Sequence, residues 1–309
     1  MREERRSRQN SNFYILSLTS NNSLYLGNKI KSHVEKNHKI IDAKHSRIIP
    51  DFKELYRYKD LFITLTWRDF KVRYAQTTIG LVWALIQPVV TLLILSLVFG
   101  KFVGVKTDIP YLLFAMTGMT IWTYFSFVMT NAGSSIIASQ AMVKKIYFPR
   151  LIIPLSKAAV GLIDLAISLV IMVILMLYYG IAPSGNVWLA PLFILMGMIA
   201  ALAVGIWLSA LTVRFRDFQH IVPFMVQIGL YVTPIAYPAD FAMKQLPSWA
   251  ATIYYLNPMA GVIQGFRWSV FGGVAPGNMM YVSFAMILFI FVTGLLYFRK
   301  VEDEMADYV

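Results

Sequence analysis

The chain has 309 residues, of which 58% are hydrophobic, 15% aromatic and 14% charged, whereas soluble domains carry about 25% charged residues. Together with a mean hydropathy of +0.60, this composition excludes an ordinary soluble protein. The absence of cysteine excludes disulfides and thiolate chemistry. The net charge of +12 would favour a nucleic-acid partner only if the basic residues covered a polar surface, and they do not.

The N-terminal part of the chain contains two segments of different character. Residues 1–50 are rich in Ser, Asn, Lys and Arg, which predicts a disordered cytoplasmic extension, and their first apolar run is too short for a signal peptide. Residues 51–73 have a polar and an apolar side, which predicts an amphipathic helix at the membrane interface; packing on a partner protein is the alternative. The polar side comprises Lys53, Arg57, Asp60, Thr64, Arg68 and Lys71, and the apolar side Leu55, Tyr58, Leu61, Phe62 and Leu65.

Residues 74–309 contain long runs without charge, the longest being the 49 residues between Asp164 and Arg214. Since a bilayer core of about 30 Å needs roughly 20 helical residues, these runs predict an all-α integral membrane domain with six transmembrane helices. A polar turn at 180–186 divides the longest run into two spans. The predicted spans lie near 78–100, 111–136, 152–179, 188–213, 219–237 and 279–298.

A further apolar stretch, 245–266, is interrupted by Pro247, Pro258 and several glycines, so we predict re-entrant helices between spans 5 and 6. Six spans place both termini on the same side of the membrane. With that side inside, 24 basic residues are cytoplasmic and four are external, as the positive-inside rule requires. The external four are Lys101, Lys106, Lys244 and Arg267.

Motifs for hydrolytic or phosphate chemistry are absent from the sequence. It contains no phosphate-binding loop, no serine nucleophile elbow and no zinc-protease motif, so we predict a non-enzymatic chain that binds no metal and no cofactor. Asp164 is the one acid deep within a predicted span, and such acids are functional candidates by default. We favour a packing role for Asp164 over proton coupling, with Lys157 as a partial counter-charge.

Several motifs, in order, resemble those of polysaccharide-export ABC permeases, the family that moves lipid-linked O-antigen, capsule or teichoic-acid chains. The resemblance covers roughly residues 51–309 and omits the first fifty. The motifs are the segments 67–74, 77–80, 83–88, 144–150, 213–217, 233–238 and 256–259, together with Gly118, Trp122 and Arg267.

This resemblance implies a homodimer in a bacterial inner membrane, associated with two copies of a separate ABC ATPase that binds ATP and Mg. It also implies that a short helix around 138–146 rests in a cleft of the ATPase and that Phe148 and Pro149 end it. Anchoring of topology by positive charge is the alternative role of this loop. The ATPase-coupling residues are Lys144, Lys145, Ile146, Tyr147, Phe148, Pro149 and Arg150.

Export through a channel at the dimer interface requires surfaces for the sugar chain, its lipid headgroup and an exit. Aromatic side chains offer flat apolar faces to sugars, cations near the inner leaflet would bind the diphosphate headgroup, and small residues allow close packing at an outer gate. Structural packing and ordinary lipid anchoring are the alternatives. The channel candidates are Trp83, Trp122, Tyr124, Phe125, Phe224 and Tyr231; the headgroup candidates are Arg68, Lys71 and Arg73; the gate candidates are Asn257, Pro258, Gly261, Gly265 and Arg267.

Two other functions remain open at this point. The first is an ABC permease of the same architecture that exports a small lipid or drug. The second is a membrane enzyme acting on lipid-linked sugars, for which Asp69 and Asp217 are the acids nearest the interface. Nucleic acid is not expected as a partner, whereas membrane lipids and a lipid-linked glycan are.

Overall fold

The computed structural model describes residues 52–75, 81–245, 247–302 and 305. The chain divides into two units, residues 1–46 and 47–309, and the first lies wholly outside the described residues, as does the predicted extension 1–50. Every regular element within the described residues is a helix. The all-α prediction is therefore confirmed for this part of the chain.

The N-terminal helices begin the described chain. Helix α1 (Phe52–Arg57) and helix α2 (Lys59–Phe70) are followed by a π-helical turn, Lys71–Ala75. The predicted polar side chains are exposed, whereas those of the predicted apolar side are partly or fully buried, with Leu65 4% exposed. The two sides of these helices therefore differ in burial, while their placement at the membrane interface stays a prediction.

Five helical stretches are long and apolar enough to cross a membrane: 82–102, 111–133, 152–179, 187–214 and 280–302. Each overlaps a predicted span, so five of the six predicted spans are confirmed as helices of sufficient length. The elements in this region are α3 (Leu81–Leu95), continued by a π-helical stretch (Ser96–Phe102), α4 (Tyr111–Gly133), α5 (Ser135–Ala138), α6 (Gln140–Val143), α7 (Ile152–Tyr179), a 3-10 turn (Val187–Leu189), α8 (Ala190–Arg214), α9 (Phe218–Val232), α10 (Ala239–Gln245), α11 (Ser248–Tyr255), α12 (Pro258–Phe271) and α13 (Met280–Glu302).

The predicted fifth span, 219–237, is shorter than expected. Helix α9 has 15 residues and is therefore about 22 Å long, less than the roughly 30 Å of a bilayer core. It ends because Thr233 precedes Pro234 and adopts an extended conformation with φ −82° and ψ 145°, as steric contact with a following proline favours. The next helices, α10 to α12, are also short. Irregular chain from Thr233 to Tyr237 thus replaces the end of the predicted span, and the next helix begins at Ala239.

Helix α4 forms the centre of the membrane helices and packs on α7, α8, α9 and α12. Its most apolar stretch is 78% buried, whereas that of α3 is only 17% buried. Close packing with α8 depends on small residues: a Cβ added to Gly205 would lie 3.0 Å from the Ala132 Cβ. Helix α7 ends at Gly180, which takes a left-handed conformation (φ 65°), as predicted for the polar turn at 180–186.

Candidate functional site

The segment between α4 and α7 has an exposed tip and a buried base. Helix α6 ends at Val143, and Lys144 and Lys145 form a turn, so the helix predicted around 138–146 is divided and ends earlier. Ile146 and Tyr147 are 61% and 67% exposed, whereas Phe148 is 4% exposed. Of the predicted coupling segment, the first four residues therefore form an accessible surface, and the remaining three lead back into the protein.

A second hydrophobic cluster holds the base of this segment. Phe148 and Leu151 pack there with Phe298 and Val301 of α13. The N-terminal helices join the same cluster through the partly buried Leu55, Tyr58 and Leu61. The coupling segment is thus packed simultaneously against the first helices and the last helix of the described chain.

Polar contacts fix the same junction. The backbone N–H of Arg150 donates to Glu302 Oε1 at 3.0 Å, and Arg299 Nη1 forms an ion pair with Glu302 Oε2 at 2.7 Å. Partial burial, reinforced by the carboxylates of Glu54 and Glu302, raises the pKa of Tyr147 above its ordinary value. Tyr147 therefore remains a neutral hydroxyl on the exposed tip.

Ion pairs join the end of α2 to α7. Lys157 Nζ lies 2.8 Å from Asp69 Oδ2, and Arg73 Nη2 lies 2.8 Å from Asp164 Oδ2. The Tyr74 hydroxyl donates to Asp164 Oδ1 at 2.7 Å, and burial together with this carboxylate raises the pKa of Tyr74. Asp164 is 4% exposed, so its charge is compensated inside the protein.

The expected counter-charge for Asp164 was wrong. Lys157 lies about 10 Å along the helix axis from Asp164 and binds Asp69 of α2 instead. The ion pair with Arg73 and the hydrogen bond from Tyr74 agree with the predicted packing role of Asp164.

The three predicted headgroup cations have different surroundings. The Arg68 side chain is 51% exposed and pairs with Asp69 at 2.9 Å. Lys71 is exposed, and its ammonium lies 5.3 Å from the centre of the Trp67 ring. Arg73 is engaged by Asp164 and lies over the Phe127 ring at 4.0 Å. Lys71 and Arg68 are thus more accessible to an anionic headgroup than Arg73.

The predicted channel aromatics fall into two groups of three. Trp83, Phe224 and Tyr231 are 59%, 61% and 57% exposed on α3 and α9. The other three belong to α4 and pack in its interior. Their exposures are 5% for Trp122, 2% for Tyr124 and 6% for Phe125.

The first two predicted gate residues, Asn257 and Pro258, form the N-terminal cap of α12. Asn257 caps α12: its Oδ1 accepts from the Met259 N–H at 3.0 Å, and its Nδ2 donates to Thr233 Oγ1 at 2.8 Å. Pro258 follows as the first residue of α12, a position where the missing N–H has no cost. The cap therefore connects α12 to the residue that ends α9.

The remaining gate residues pack inside the protein. A Cβ at Gly261 would lie 2.8 Å from the Ser283 Cβ, and a Cβ at Gly265 would overlap the Phe193 ring. Arg267 is partly buried rather than at an open mouth.

The guanidinium of Arg267 joins three parts of the structure. Its Nε donates to Thr117 Oγ1 at 3.2 Å, and its Nη2 donates to the Phe114 and Pro234 carbonyls at 3.2 and 3.1 Å. Its centre lies 3.6 Å from the Phe114 ring centroid. Arg267 therefore binds α12 to α4 and to the chain after α9.

Sequence reasoning missed a row of polar side chains on α4 and the residue just after it, which we call the α4 ridge: Thr123, Ser126, Thr130, Asn131 and Ser134. All five are partly exposed although most of α4 is buried. Their spacing of three, four, one and three residues places them on one side of a helix, a signal visible in the sequence. Among the described residues, no cluster of metal-ligating side chains occurs.

Comparisons with known proteins agree on one family. Residues 60–271 match the ABC-2 type transporter family. The O-antigen export system permease protein RfbA of Klebsiella pneumoniae is 30% identical over 250 residues, 80% of this chain and 94% of the relative. RfbA of Myxococcus xanthus is 30% identical over 216 residues, 70% and 82% of the two chains. The polysialic acid transport protein KpsM of Escherichia coli is 24% identical over 254 residues, 77% and 92% of the two chains.

Proposed function

Because the chain belongs to the ABC-2 type transporter family, we propose that it is the permease subunit of an ATP-driven exporter of lipid-linked polysaccharide. The observation that carries the proposal is its similarity to O-antigen export permeases over 94% of one relative's length. Similarity over nearly the whole relative favours a common task over a shared fragment. Similarity to a polysialic acid transport protein favours the same substrate class over a small lipid or drug.

The proposed arrangement has six crossings with both termini in the cytoplasm of a bacterial cell. Five helices of sufficient length support five crossings; in the proposal, α9 makes the remaining crossing together with the irregular chain after Val232. The short helices α10 to α12 then enter and leave the membrane from the outer side. The exposed polar side of α1 and α2 supports their placement in the cytoplasmic interface.

Energy for transport comes, in this proposal, from two copies of a separate ATPase that bind ATP and Mg. The exposed tip, Lys144–Tyr147, supports a docking role, because its side chains are free of the core while its base is fixed by Phe148. A force applied to the tip would reach α13 and α1 through the cluster around Phe148. The chain itself supplies contacts and no hydrolytic chemistry.

The transport path lies between two copies of the chain in the proposed homodimer. Trp83, Phe224 and Tyr231 support this placement, since they are exposed on α3 and α9 and can offer apolar ring faces to sugars. Lys71 and Arg68 are the best placed to bind the diphosphate headgroup, as both remain accessible next to the first crossing.

Export from membrane vesicles tests this function. Inverted vesicles that contain the chain and its ATPase should move lipid-linked glycan into the lumen when ATP is added, and vesicles without the chain should not. Equal glycan movement in both would refute the proposal. The enzyme alternative predicts that the purified chain alone converts lipid-linked sugars, which the ion-paired state of Asp69 disfavours.

A further inference from the structure

The surface that α4 leaves open is polar. Between Leu113 and Ser134, the partly exposed residues are Phe127 and the five members of the α4 ridge, while the others are buried. A helix side that faces lipid is normally apolar, because hydroxyl and amide groups are poorly solvated by hydrocarbon. The open side of α4 is therefore not built to face lipid, and its hydroxyl and amide groups need a polar partner.

The ridge is bounded on both flanks. On one flank, the Trp122 ring packs against Gly229 of α9. Nearer the end of α4, a cleft of about 50 Å³ lies between α4, α8 and α9, with Thr130, Thr212 and Gln219 among its lining residues. On the other flank, the Phe127 ring packs against Gly161 of α7.

One end of the ridge is closed and the other is open. Towards the start of α4, Met116 and Met119 are 1% and 5% exposed and pack in the same cluster as Leu92 and Leu95 of α3. Towards its end, the ridge reaches Ser134, from which the short helices α5 and α6 lead to the coupling segment at Lys144. In the proposed topology, this open end is cytoplasmic.

The ridge offers hydrogen-bond acceptors without net charge. Ser126 Oγ donates to the Thr123 carbonyl at 3.1 Å, Ser134 Oγ to the Thr130 carbonyl at 3.0 Å, and Asn131 Nδ2 to the Phe127 carbonyl at 2.8 Å. These donors are used within the helix, so the side-chain oxygens can still accept from outside. Arg73, whose guanidinium lies over the Phe127 ring beside the ridge, is paired with Asp164.

We propose that the α4 ridge binds the sugar hydroxyls of the glycan strand at the cytoplasmic entrance of the transport path. An uncharged row of acceptors suits a hydroxyl-rich chain, whereas a headgroup phosphate requires cations. The cleft at Thr130 admits a single polar group such as a hydroxymethyl, and the longer ridge accommodates successive sugars. This inference rests on the proposed function and adds the surface that contacts the carbohydrate. The competing occupant is the ridge of a second copy.

Removal of the hydroxyls tests the proposal in the full exporter. In a Thr123→Val/Ser126→Ala/Thr130→Val variant, we expect glycan export to fall about tenfold, since each neutral hydrogen bond contributes roughly two- to tenfold. Thr293→Val is the matched control: this partly buried hydroxyl of α13 also donates to a carbonyl of its own helix, that of Phe289 at 2.7 Å, and its loss should leave export unchanged. Membrane level and ATPase copurification should match the wild type.

A chemical probe makes the test independent of folding. The chain has no cysteine, so Thr130→Cys and Thr293→Cys each introduce one thiol for a water-soluble maleimide. Lipid-linked glycan should slow labelling at position 130 severalfold and leave position 293 unchanged. Unprotected labelling, or a disulfide between two copies through position 130, would overturn the ridge proposal. Full export by the triple variant would do the same, whereas absence of export by the wild-type exporter would refute the proposed function itself.

Discussion

The ion pair between Arg73 and Asp164 gives the most direct test of how the N-terminal helices are attached. An Asp164→Asn substitution keeps an oxygen to accept from Tyr74 but leaves the Arg73 guanidinium without its carboxylate. Removing one partner of a buried ion pair costs about 3–5 kcal/mol. Because the Arg73 side chain is 34% exposed, solvent compensates part of this loss, and we expect a cost of about 2–3 kcal/mol.

The corresponding assay is thermal unfolding of the purified protein in detergent. For a chain of this size, about 1 kcal/mol shifts Tm by roughly 1.5–2 °C, so Asp164→Asn should lower Tm by roughly 3–6 °C. The double variant Arg73→Met/Asp164→Leu removes both charges and should recover most of the loss, as replacement of buried pairs by apolar residues often does.

Two results would contradict this reasoning. If Asp164→Asn leaves Tm unchanged, the ion pair does not hold the end of α2 on α7. If the double variant is as unstable as the single one, the loss comes from packing and not from the uncompensated charge. Tyr74→Phe is the smaller control and should cost about 1 kcal/mol, the contribution of one hydrogen bond.

Three further predictions concern coupling, packing and headgroup binding. Replacing the three cations of the segment Lys144–Arg150 by alanine should abolish transport-coupled ATP hydrolysis while the membrane dimer persists; normal export would refute the coupling role. Arg267→Lys should destabilise the protein by about 2 kcal/mol, since an ammonium cannot reproduce the geometry of the guanidinium; an unchanged Tm would show that these hydrogen bonds are dispensable. Lys71→Ala combined with Arg68→Ala should weaken binding of lipid-linked glycan severalfold with little change in Tm; unchanged binding would exclude these cations as the headgroup site.

The helices were predictable because their signals are local. Charge-free runs locate α4, α7, α8 and α13 within a few residues, and Gly180 marks the end of α7. The early end of α9 also had a local signal, since Thr233 precedes a proline. The predicted span nevertheless extended past Pro234, because the residues around it are apolar.

The pairing of side chains was much less predictable. Asp164 lies 90 residues from Tyr74 in the sequence, and helical spacing suggested only Lys157, its neighbour on the same helix. Arg267 was assigned to an outer mouth from its place in the chain, but contacts with Thr117 and Pro234 enclose it. Such contacts depend on which helices become neighbours, and the pattern within one helix does not determine that.

The uneven packing of the helices has a mechanical consequence. Helices α4 and α8 approach closely at Gly205, where an added Cβ would lie 3.0 Å from the Ala132 Cβ, so sliding or rotation of either helix would cause steric overlap. By contrast, α3 buries little of its apolar stretch, and Val222 is the buried residue of α9. Widening a passage along this protein would therefore cost the least free energy if α3 and α9 moved while α4 and α8 stayed in place. The exposed aromatic side chains of α3 and α9 would move with these helices, while the α4 ridge kept its position.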